Sequence, residues 1–115
     1  MAKSAVPNAL ERRHLIEKEV AEAQALRIAE AYLADERLEE ALAFLEKAGA
    51  SERLAELRAG AVAAGDVFLL RSVARAQGES PSREEWVGVE AAAAAAGRER
   101  YAADARRQLE VESED

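Results

Sequence analysis

The chain has 115 residues, the size of one domain, with half of its residues hydrophobic, 34% charged and a formal net charge of −7. That negative charge opposes nonspecific binding to nucleic acid, whose affinity comes mainly from lysines and arginines neutralising phosphates, and it opposes an anionic membrane surface as well. With no cysteine, disulfides and thiolate zinc sites are excluded.

Residues 1–7 read as a disordered tail, and "MAKSAVPNAL" lacks the apolar core of a secretory leader. No apolar run approaches the roughly 20 residues of a membrane span, so the expected location is the cytoplasm. Asn8 follows Pro7 and can cap a helix. From Ala9 to about Ala34 there is neither glycine nor proline, and Leu15, Ile16, Val20, Ala23, Ile28, Ala31 and Tyr32 supply the apolar positions. This is one helix of about 25 residues, or two with a subtle break. "ADER" (34–37) ends it, with Asp35 as the expected cap of the next helix. Leu38, Leu42 and Leu45 then recur at helical spacing up to Gly49, a glycine stop.

Ser51 is the expected cap of a third helix that turns Leu54 and Leu57 inward and stops near Gly65. Asp66 caps "VFLLRSVARAQ", with Phe68 or Leu69 and Val73 inward, and Gly78 ends it. "GESPS" is a loop. Ser82 followed by Glu85 has the spacing of a capping box, in which each side chain bonds the other's backbone amide. The helix behind it holds Trp86, Val89 and six consecutive alanines, 91–96. Gly97 breaks it, "RERYAADARRQLE" forms a last helix, and 111–115 read as an acidic tail.

About a quarter of the chain is alanine and only 4% is aromatic. Alanine favours helix strongly but buries little area. Thin, closely stacked helices are expected rather than one thick core. The breaks at Asp35, Gly65 and Gly97 fall about 30 residues apart, as in an array of helical hairpins. The expected fold is therefore all-α, with three antiparallel hairpins over about 8–49, 51–78 and 82–110 within a single repeat domain, 8–110. A closed helical bundle is the alternative.

These residues resemble tetratricopeptide repeats. Ile28, Ala29 and Tyr32 match that family's first helix, and Ala41, Leu45 and Ala48 its second. Trp86, Val89, Ala93 and Ala102 match in part further on, as do Leu57 and Ala61, whereas Leu70 stands where a small residue belongs. The family's closing proline is absent from every unit. The resemblance implies a scaffold that holds a peptide or helix in a groove lined by the first helix of each hairpin. Carried over by position, that surface comprises Ala23, Leu26, Glu30 and Leu33, then Glu52, Ala55, Ala59 and Val62, then Glu84, Val87 and Ala91. It is small-featured and apolar with a few acids, which suits an apolar or basic helix. Lysine and asparagine, which chaperone-binding relatives use to clamp a carboxylate tail, are missing; Leu26 and Glu30 take two of the matching places.

Catalytic chemistry has little to rest on, and no enzyme, metal or cofactor is expected. His14, the single histidine, has Glu11 and Glu17 at helical spacing, a pattern common on solvated faces. Glu17–Glu19, Glu39–Glu40 and Glu84–Glu85 read as solvated carboxylates without a setting that would shift a pKa. "GAVAAG" (60–65) lacks the lysine of a phosphate loop. Arg98, Arg100, Arg106 and Arg107 around Tyr101 interleave with Glu99, Asp104 and Glu110, so no nucleic-acid contact is expected.

Residues 8–22 exceed what a hairpin helix needs. Leu15, Ile16 and Val20 there are the expected self-association residues if they are not capped within the fold. The functional expectation is a protein-interaction adaptor. One rival is a small acidic chaperone holding an aggregation-prone subunit, and the other a ligand-binding or enzymatic bundle centred on His14.

Overall fold

The computed structural model describes residues 9–113, and helix is the only regular secondary structure among them. Six helices follow in order: α1 (Ala9–Ala34), α2 (Leu38–Ala48), α3 (Ser51–Ala64), α4 (Val67–Gln77), α5 (Arg83–Ala95) and α6 (Glu99–Ser113). The fold class is all-α. Residues 1–7 and Asn8, the expected tail and first cap, lie outside the described residues, as do 114–115. α6 runs on to Ser113, so 111–113 are helix rather than tail.

Backbone contacts divide the chain into two compact units, one ending at Ala50 and one beginning at Ser51, where the sequence suggests a single domain. In the first unit α1 packs on α2. Ala25 and Ala29 of α1 and Ala41, Leu42, Leu45 and Ala48 of α2 are buried. Alanines at the contact bring the helices close. The bulk comes from Tyr32 stacked on Phe44, with ring centroids 5.6 Å apart, and Arg37 lies 5.0 Å above the Tyr32 ring.

The turn between α1 and α2 differs from expectation. Asp35 caps nothing; the residue before α2 is Arg37, whose side chain makes no cap bond. The reversal is made by Glu36, which adopts φ +60° so that the Arg37 amide can bond the Tyr32 carbonyl at 2.8 Å. The same closure recurs after α2, α3, α4 and α5, and there the left-handed residue is a glycine each time.

In the second unit α3 pairs with α4 and α5 with α6, while α3 also meets α5 and α4 meets α6. Asp66 caps α4 by accepting a bond from the Leu69 amide at 3.0 Å. Ser82 and Glu85 form the capping box of α5. The core contains Ala61, Val67, Leu70, Trp86, Val89 and Ala105, with Val62, Leu69, Tyr101 and Leu109 packed against it. Val73 is buried as well, whereas Phe68 is 54% exposed. Leu70 is fully buried where the repeat pattern has a small residue; the large side chain supplies volume that alanines elsewhere do not. α3 and α5 approach closely at Gly65, where a methyl group would come within 2.5 Å of the Ala93 Cα and 2.8 Å of the Ala92 carbonyl carbon. Gly65 must also hold φ +69° to close the helix.

Candidate functional site

The first helices of the second unit carry most of the expected contact residues. On α3, Ala55 and Ala59 are one turn apart and exposed; on α5, Val87 and Ala91 are likewise one turn apart and exposed. Their helices meet along the neighbouring faces, where Val62 stands over Gly88: a methyl group on Gly88 would be 2.9 Å from the Val62 Cγ1. Val62 thus serves the α3–α5 contact and is half-buried, while the other four remain uncovered. Glu52, Glu56 and Glu84 are exposed around them, and Glu56 is paired with Arg53 at 3.1 Å. In the first unit Ala23, Leu26 and Glu30 are exposed and Leu33 is half-buried.

The strongest polar feature of the second unit was hidden in the sequence. Arg58 of α3 donates Nε to Glu85 Oε2 at 2.6 Å and Nη2 to Glu85 Oε1 at 2.8 Å. Its Nη1 bonds the Gln77 side-chain oxygen at 2.7 Å and the Glu79 carbonyl at 3.0 Å, and Nη2 also bonds the Ser80 carbonyl at 3.1 Å. One guanidinium therefore ties α3 to the end of α4, to the 78–82 loop and to the first turn of α5. Glu85 is consequently not the solvated carboxylate its neighbour Glu84 suggests. The bonds from Arg58, with further help from the Ser82 amide, hold its pKa down to about 2 against the opposing effect of burial. The same pairing raises Arg58 above its ordinary value. These atoms are consumed by the fold, so the arrangement is a clamp and not a reactive centre.

Arg71 lies 5.3 Å above the ring of Trp86, which is only 3% exposed, so the arginine roofs the buried indole. Near the C-terminus, Arg106 pairs with Glu90 at 3.3 Å and Arg107 pairs with Asp104. Half of the arginine cluster noted in the sequence is thereby neutralised by acids on α5 and α6.

In the first unit a shallow hollow of about 390 Å³ lies beside Ala25 and Ile28 of α1 and Phe44 of α2, with Lys18 and Lys47 at its rim. His14 is on the exposed part of α1. Among the described residues there is no group of three or more histidines, aspartates or glutamates placed to hold a metal, and no helix is long and apolar enough to cross a membrane. The remaining feature is the start of α1, where every residue from Ala9 to Ala21 is exposed, including Leu15, Ile16 and Val20. Compared with known proteins, the chain matches no family model, no curated protein and no solved structure.

Proposed function

We propose that this chain is a protein-interaction adaptor of the tetratricopeptide-like kind, and that its second unit receives a partner helix across α3 and α5. The observation that carries this reading is the uncovered set Ala55, Ala59, Val87 and Ala91 on two helices in direct contact. Small side chains let a second helix approach the backbone, and Val87, half exposed, offers an apolar anchor. Glu52, Glu56 and Glu84 at the margins favour a partner whose polar flank is basic, and the chain's net charge of −7 steers such a partner toward it. Among the positions that carry the family resemblance, Ala29, Ala41, Leu45, Trp86, Val89, Ala93 and Ala102 are buried and Ile28, Tyr32 and Leu57 half-buried, which supports the reading. The cytoplasm remains the proposed location.

Isothermal titration with a lysine-flanked, leucine-faced helical peptide tests the proposal. Binding should weaken at least tenfold in Val87→Glu and fall as salt rises. Absence of heat with that peptide, or an affinity indifferent to Val87→Glu, removes this surface from consideration.

A further inference from the structure

α1 has 26 residues and α2 has 11, so helices of about 39 Å and about 16 Å lie against each other, and among the described residues of the first unit α2 is too short to run beside more than half of α1. The half it leaves is not polar. Leu10 is 61% exposed, Leu15 50%, Ile16 59% and Val20 58%. A longer α2 could not cover Ile16 and Val20, although Leu10 and Leu15 lie nearer its side. At 100° per residue, the mean direction of Ile16 and Val20 lies about 180° around the helix from that of Ala25 and Ala29, the pair buried against α2. Along the α2-facing line the projecting half instead presents Glu11, His14, Lys18 and Ala21. A stretch of this length is marginal as an isolated helix in water, and exposed pairs such as Arg13–Glu17 at 3.3 Å and Lys18–Glu22 at 3.8 Å add little to it.

The charges along this segment say what fits it. Arg12 and Arg13 lie toward the start beside the single acid Glu11, and Glu17, Glu19 and Glu22 follow with only Lys18 between them. The segment thus carries a net positive charge of one at its start and a net negative charge toward Glu22. We propose that it pairs antiparallel with the same segment of a second copy, with Ile16 on the two-fold axis. In that register Ile16 meets Ile16, Ala9 meets Ala23, Arg13 meets Glu19, and the aliphatic stem of Arg12 covers Val20. A parallel pair would set Arg12 beside Arg12 and Glu19 beside Glu19, and would align the helix dipoles unfavourably. The stripe from Ala9 to Ala23 is only about 21 Å long. It buries less than the roughly 800 Å² per partner of a standard interface, so the dimer is a weak one.

The chain's lack of cysteine makes the register directly readable. Sedimentation of the whole chain from low-micromolar to near-millimolar concentration should show its mass rising toward twice the monomer. Ile16→Glu should remain monomeric throughout, with the melting of the second unit, followed by Trp86 fluorescence, unchanged. On oxidation Ile16→Cys should link to itself. Ala9→Cys and Ala23→Cys should each stay single yet link to one another when mixed. A chain that is monomeric at every concentration, or an Ile16→Glu variant that dimerises like the parent, overturns the proposal. Self-linking by both Ala9→Cys and Ala23→Cys overturns it too, since it reports a parallel pair.

Discussion

Arg58 and Glu85, 27 residues apart in the chain, meet as a two-pronged ion pair in which both carboxylate oxygens and two guanidinium nitrogens take part. Glu85 is at the same time the capping-box residue of α5. A carboxylate that ends one helix and anchors another couples two local structures, so its charge matters to both.

Acid should weaken the second unit through this residue. Its folded pKa, about 2, lies below its ordinary 4.5. The stabilisation is therefore complete above pH 4.5 and is lost as pH falls from there toward 2. Its size is about 2 kcal/mol after allowing for the quarter of the side chain that remains in water. Glu85→Gln should lower stability at neutral pH by about that amount and flatten the acid limb of the unfolding curve. Urea melts of both proteins at pH 7, 4 and 3 would decide, and an equally steep acid loss in the variant would refute the assignment.

Gly65 and Gly78 make a matched pair of tests. Both hold a left-handed backbone, at φ +69° and +68°, but only Gly65 has backbone of another helix where a methyl group would go. Gly78→Ala should cost about 1 kcal/mol for the conformation alone. Gly65→Ala should cost about 2–4 kcal/mol, since α3 and α5 must also move apart. Equal losses in chemical denaturation would mean that the close approach to Ala93 contributes nothing.

At Glu36 the expectation has the opposite sign. An exposed glutamate holds φ +60° in the one helix-closing turn among the described residues that lacks glycine. Glu36→Gly relieves this strain and should stabilise the α1–α2 hairpin by about 0.5–1 kcal/mol, after the entropy that glycine gains when unfolded. Thermal melts followed by circular dichroism would reveal it, and a drop in melting temperature would count against the turn described.

Trp86 fills the largest single volume in the second unit and has almost no exposure. Trp86→Ala should cost about 3–5 kcal/mol. Arg71→Ala, which unroofs the ring without emptying the core, should cost only about 0.5–1 kcal/mol. If Trp86→Ala cost less than about 1 kcal/mol, the ring would have to be exposed in solution.

The helix ends show where sequence and structure part. Asp66, the Ser82–Glu85 box and the glycines at 49, 65, 78 and 97 act within three or four residues of where they stand, so they can be read from residue type and spacing. Glu36 could not be read that way, because nothing in a glutamate's chemistry announces a positive φ. Asp35 looked the better cap, but the turn was completed by the Arg37 amide reaching back to Tyr32. For Glu85 the obstacle is a different one. Its partner is Arg58, and no local pattern connects two residues on different hairpins. By position in its helix Val62 belongs to the open surface, yet the missing side chain at Gly88 draws it into the contact.

By itself the sequence determined that this chain is helical and where most helices stop, since alanine content, apolar spacing, caps and glycines act over a single turn of backbone. Only the tertiary structure decided which face of each helix is covered: Phe68 outside while Leu70 is sealed, Arg58 clamped, and Ile16 and Val20 left bare half a turn from the side that α2 occupies. Burial depends on what other segments bring alongside a residue, and in a chain this rich in alanine the apolar pattern runs around α1, α3 and α5 too evenly to say which side that is.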